Sequence, residues 1–270
     1  MLTWPQIHQA LIEASEAGLS ATEVVRRMAI EEESAGNSWE RVGAIYYAGL
    51  AMGGYDLAFV RSMAVSALGC LQDPERTKTV HLAAHTDAEW AVGQLIMRES
   101  PATADSLYLK ACIVYWSAIT NLFTDTSLKH DILRNAVFGY REAIAMDPTH
   151  WLAHYFLTCC LFDLQCWPDV LAETSVALGL NNGPANQPWR RSKLQEWQIV
   201  GLFNVCQVVQ AQGFLAQFLD QFAMETPTDL EGKIESLDEL ADCLQQHEVE
   251  ASLKTRFEAF KSSLEAAGVI

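Results

Sequence analysis

His81-Leu-Ala-Ala-His85 sets two imidazoles one helical turn apart on one face, and Glu89 continues that face. Two histidines and a carboxylate are adequate ligands for zinc or iron, although the glutamate of H-E-x-x-H is missing and no Glu-x-x-His of the di-iron bundles occurs. A helical metal-binding protein or metalloenzyme using His81, His85 and Glu89 is one reading. The plainer one makes them polar residues of a packed helix. His150 and His154 repeat the spacing, but His150 stands at a helix start, so polar-surface or capping roles suit that pair. G-x-x-x-x-G-K-S/T, G-x-G-x-x-G and G-x-S-x-G are all absent, which removes the usual phosphate cradles and the nucleophile elbow. No catalytic residue and no cofactor are assigned.

Trp189-Arg-Arg-Ser-Lys193, followed by Trp197, is the densest cationic cluster. Cations among aromatics can serve stacked bases, but the chain carries 18 Lys and Arg against 34 Asp and Glu, a net −16. A helix-start cluster pairing with nearby acids fits better. Gly18 to Met28 resembles the opening of a helix-turn-helix, yet Glu31-Glu32-Glu33 behind it would repel phosphates. The last 51 residues hold 12 acids and 4 cations, half of the net charge. Nucleic acid is excluded as a partner, and cationic or apolar partners are favoured.

The elements that position these residues are helices. Apolar residues recur at three and four throughout, and alternating β-branched runs between glycine turns are missing. Thr3 to Gln6 and Ser20 to Glu23 read as capping boxes. Boundaries are expected near 36–38, 53–54, 73–74, 100–101, 147–148, 167–168, 181–188, Gly213 and 226–227, giving about thirteen helices. Among them are helices over 228–247 and 249–267; the stretch 74–100 reads as one helix or two. Asn181 to Pro188 is the least regular segment, a loop and a candidate subdomain joint. Seven cysteines without C-x-x-C point to a reducing compartment, no basic-then-apolar leader opens the chain, and no run of about 18 uncharged apolar residues occurs. A cytoplasmic protein without membrane insertion is expected.

Residues 117–150 and 151–184 are adjacent stretches of equal length. The first contains Ala136, Tyr140, Ala143, Ile144, Met146 and Asp147-Pro148, with small residues where two helices would touch. The second places Ala153, Leu157, Leu161, Trp167, Ala177, Leu178 and Leu180 at packing positions. This pattern resembles the tetratricopeptide repeat, whose period is about 34 residues. Gln165 stands where that family has its turn glycine, Val170 and Thr174 replace a small and an aromatic residue, and Asn182 stands where proline is typical. The first unit's leading helix is better placed at Ala111, Tyr115 and Ile119, leaving Phe123 to His130 as an enlarged loop. Weaker echoes span 39–72, through Ile45, Gly53, Tyr55 and Ala58, and begin near 199, through Val205, Val209, Gly213 and Phe222.

The resemblance implies an all-α fold of stacked antiparallel hairpins in a right-handed superhelix, with an irregular α-bundle as the alternative. It groups the chain into 1–100 with one weak repeat, 101–226 as the repeat region and 227–270 as acidic capping helices. It also implies a concave groove for a peptide or helix. Carried over residue by residue, the groove positions are Lys110, Ile113, Ser117, Thr120 and Asn121, then Leu152, Tyr155, Cys159, Phe162 and Asp163, then Val200, Phe203, Gln207 and Gln210. Tyr155 and Cys159 depart from the Lys and Asn with which some members of the family clamp a terminal carboxylate. A non-enzymatic adaptor, scaffold or assembly chaperone with a protein partner is the expected function.

Overall fold

Helix-starting side chains fix where five of the described helices begin. In a computed structural model, which describes residues 9, 20–36, 39–51, 56–73, 75–99, 101–120, 122, 128–234 and 236–270, no strand occurs among the described residues and twelve α-helices do. The chain divides into two compact units, Met1–Met146 and Asp147–Ile270, at a point inside the expected repeat region 101–226.

The first unit holds α1 (Ala21–Ser34), α2 (Trp39–Ala51), α3 (Leu57–Gln72), α4 (Lys78–Arg98), α5 (Ala104–Ile119) and α6 (Lys129–Met146). Ser20 accepts from the Glu23 amide, Asp56 from that of Phe59 and Thr77 from that of Val80. Thr103 and Ser106 form a reciprocal capping box. Each such cap satisfies an amide the helix itself leaves open, worth about 1 kcal/mol. The Thr3 box, Gly53 and Tyr55 lie outside the described residues. The stretch 74–100 contains a single helix, α4, of 21 residues.

Packing is closest between successive helices: α1 with α2, α3 with α4, and α5 with α6. The weak echo over 39–72 is therefore half a hairpin out of phase, since α2 pairs backward with α1 and α3 forward with α4. The α5/α6 contact is close where the pattern puts small residues. Ala111, Ala136 and Ala143 are buried, and a Cβ on Gly139 would meet that of Ala111 at 3.0 Å.

The second unit holds α7 (Trp151–Asp163), α8 (Trp167–Gly179), α9 (Trp189–Asn204), α10 (Val208–Phe222), a 3-10 turn (Pro227–Leu230), α11 (Asp238–Gln246) and α12 (Ala251–Ala266). Two hairpins, α7/α8 and α9/α10, turn in the same way. Gln165 and Cys206 both adopt positive φ, 55° and 61°. The amide after each bonds back to a helix carbonyl, Cys166 to Leu161 at 2.9 Å and Gln207 to Leu202 at 2.9 Å. This is the left-handed C-terminal turn that glycine favours. The hairpins recur 41 positions apart (165 to 206), not 34, because the loop 180–188 is longer than a repeat allows.

That loop is tied down. Asn182 Nδ2 donates to the Thr149 carbonyl at 2.7 Å, and a Cβ on Gly183 would come within 2.9 Å of the Trp151 indole. It lies within the second unit and does not separate subdomains. The echo placed near 199 is out of register: Val205 sits in the turn after α9, and Gly213 lies inside α10. Nothing approaches within 4 Å of a Cβ at Gly213, so the helix simply absorbs it, at a cost of about 1 kcal/mol. The expected helix over 228–247 is a 3-10 turn followed by the shorter α11, because Thr226 and Asp229 cap each other and close the turn early. The core of this unit is built from Phe203, Leu215, Phe218, Phe222, Leu240, Leu244 and Phe257.

Candidate functional site

The groove positions fall on surfaces of two kinds. In the first unit, α4 and α5 leave an open apolar groove of about 530 Å³ between them, lined by Trp90, Ile96 and Met97 from α4 and by Lys110, Ile113 and Val114 from α5. Trp90 is 37% and Met97 68% exposed, unusual for such side chains on one face. Lys110 is exposed at the rim and has no acidic partner among the described residues. Glu89, on the α4 side, lies 3.8 Å from His85 Nδ1. Ser117 is buried and its hydroxyl donates to the Val114 carbonyl at 2.7 Å; Thr120 caps α5, and Asn121 lies outside the described residues.

In the second unit the corresponding face of α7 is closed. Tyr155 stacks on Trp151 with ring centroids 5.5 Å apart and meets Trp197 of α9 at 5.6 Å. Phe162 lies 5.4 Å from the same Trp197 and 5.3 Å from Trp167. The Arg190 guanidinium sits 4.6 Å from the Tyr155 ring centre, 5.0 Å from Phe156 and 4.8 Å from Trp189. Tyr155, Cys159, Val200 and Phe203 are buried, Leu152 and Phe162 are half-buried, and Asp163, Gln207 and Gln210 are exposed. Burial pushes the Cys159 thiol far up, so it is an inert packing residue. These aromatics are packing partners of α9.

Compared with protein families, with curated proteins and with solved structures, the chain matches none. Its consecutive helix pairs are compatible with a helical repeat.

The histidine reading loses its geometric basis. His81 and His85 are buried, and the His81 Nε2 is engaged with the Asp73 carbonyl at 2.8 Å. Among the described residues no group of three His, Cys, Asp or Glu is placed to hold a metal ion. His150 caps α7 by accepting from the Ala153 amide at 3.1 Å, as a helix-start histidine should. His154 is not a surface residue: it is buried between Glu173 and the Pro148 carbonyl. Burial opposes its charge, but those two acceptors outweigh it and raise its pKa.

Of the three cations in the cluster, Lys193 alone pairs with acids among the described residues, in a buried network that composition does not reveal, while Arg190 lies over aromatic rings and Arg191 donates to backbone carbonyls. Lys193 Nζ lies 2.8 Å from Glu196, 2.7 Å from Glu239 and 3.1 Å from the Ser236 hydroxyl. Glu196 Oε1 accepts from the Leu240 amide at 3.2 Å, so the network pins α11 to α9. Burial pushes the Glu196 carboxyl up to about 7 despite the adjacent lysine. Burial disfavours the Lys193 charge, but Glu196 and Glu239 outweigh it and hold its pKa above the usual value. The one signal in the sequence was the three-residue spacing of Lys193 and Glu196. Its other half lies 46 positions away, at Glu239.

Proposed function

We propose that this protein is a non-enzymatic interaction module of tetratricopeptide-like type, an adaptor or assembly scaffold, whose α4/α5 groove takes an amphipathic segment of a protein partner. The observation that carries the reading is the pairing, on one groove, of exposed Trp90 and Met97 with Lys110, which has no acidic partner among the described residues. The like-turned hairpins of the second unit support the repeat character.

The groove's chemistry defines its occupant. From Glu89 to Met97 it follows about two turns of α4, roughly 12 Å, the length a partner helix covers with anchors at i, i+3 or i+4, and i+7. Apolar anchors fit Trp90, Met97 and Val114. A carboxylate beside them would answer Lys110, and a cation would answer Glu89 at the opposite rim.

Site-specific photo-crosslinking tests this. A benzophenone side chain replacing Met97 should capture one defined protein through an apolar segment bearing a carboxylate, and Trp90→Ala or Lys110→Glu should abolish capture. The same group at exposed Met146 should capture nothing comparable. Equal capture from both positions, or capture insensitive to Trp90→Ala, would reject the groove.

A further inference from the structure

We propose that a second cavity, a half-open pocket bounded by α8, α9 and α10, binds a small, neutral, planar amide of one or two rings. The cavity measures about 290 Å³, at the lower end of small-molecule sites. Four glutamines line it, Gln195 and Gln198 from α9 and Gln217 and Gln221 from α10. Phe214 and Phe218 give it an aromatic side. No carboxylate takes part, although the chain has 34 acidic residues against 18 basic ones.

The polar groups select for a neutral ligand with both donors and acceptors. Each glutamine amide offers an acceptor oxygen and two donors, and none carries charge. Gln195 Nε2 donates to Gln221 Oε1 at 2.9 Å, and Gln198 Nε2 donates to the Ser175 hydroxyl at 3.3 Å. These bonds hold three of the amides in position while Gln198 Oε1 and the Gln221 amide hydrogens remain for a ligand.

Arg191, the only cation of the lining, does not convert the cavity into an anion site. Its two terminal nitrogens donate to the Leu178 and Leu180 carbonyls, which close the end of α8. A purely apolar ligand would strand the amides, and a carboxylate would meet their oxygens without a free cation. A planar amide edge satisfies the glutamines while its ring faces Phe214 and Phe218.

The probe is nicotinamide, with nicotinate as its anionic match and uracil as a second ring amide, titrated into nitrogen-15-labelled full-length protein. Nicotinamide or uracil should move the side-chain amide signals of Gln195, Gln217 and Gln221 saturably. Nicotinate should bind about tenfold more weakly or worse, as should nicotinamide to Gln195→Leu. Gln217→Leu, at an exposed position, decides the matter if Gln195→Leu does not fold. No saturable shift with either amide, equal binding of nicotinate, or unchanged binding by the folded variants would overturn the site.

Discussion

Two helix faces with the same assignment met different fates. On α5, Lys110 and Ile113 border an open groove. On α7, Tyr155 and Phe162 are covered by Trp197, and Tyr155 also lies beneath Arg190. The difference is in what the chain supplies next to each face. α9 brings an indole and a guanidinium to the aromatic face of α7, and both bind aromatic rings well. α4 brings Trp90 and Met97 to α5 but leaves them well exposed. An aromatic position on a repeat-like helix thus stays open only when neighbouring helices do not provide its complement.

The largest effect that would break this comparison is expected at the closed face. Tyr155→Ala removes a ring that touches Trp151, Trp197 and Arg190, and should cost about 3–5 kcal/mol in urea unfolding. A loss below about 1 kcal/mol, as for a surface residue, would mean that the face is open. Lys193→Met strands Glu196 and Glu239 and should cost about 3 kcal/mol, whereas Lys193→Met combined with Glu196→Leu should recover part of that loss.

A pH dependence sharpens the contrast, because the buried titrating network belongs to the second unit. The folded Glu196 pKa is about 7, above its unfolded value of about 4.3, so its contribution is complete below about pH 4.3 and is lost as pH rises towards 7. His154, also raised, loses its contribution as pH climbs through its folded value. Depressed carboxyls such as Glu239 and Asp238 act oppositely, stabilising above their unfolded values and failing as pH falls. Stability should therefore decline from about pH 5 to 8, by about 2 kcal/mol from Glu196, and Glu196→Gln should flatten that slope in thermal melts at several pH values. An unchanged slope in the variant would place the titration elsewhere. The smallest effect is at the hairpin turns: Gln165→Gly and Cys206→Gly should each stabilise by about 0.5–1 kcal/mol in denaturant melts, by removing positive-φ strain.

What the sequence revealed was what local periodicity and capping control. The all-helical fold, the starts at Ser20 and His150 and the small residues at Ala136 and Ala143 follow from neighbours within a few positions. Registers did not. The echoes at 39–72 and near 199 matched apolar spacings that any amphipathic hairpin shares, so they could not tell which helix of a pair comes first. The site was half legible: Lys110 and Ile113 were marked, whereas Trp90 and Met97 were not, because an exposed and a buried tryptophan look alike without their covering helix. Long-range electrostatics were hidden for the same reason, as in Lys193 with Glu239.

The central claim, one face open and one closed, is tested most directly by hydroxyl-radical footprinting of the intact protein, read residue by residue. Met97 and Trp90 should be oxidised rapidly, while Tyr155 and Trp197, 4% and 7% exposed, should be protected until the protein unfolds. Labelling of Tyr155 and Trp197 as readily as Trp90, or protection of Met97 and Trp90 in the protein alone, would contradict it.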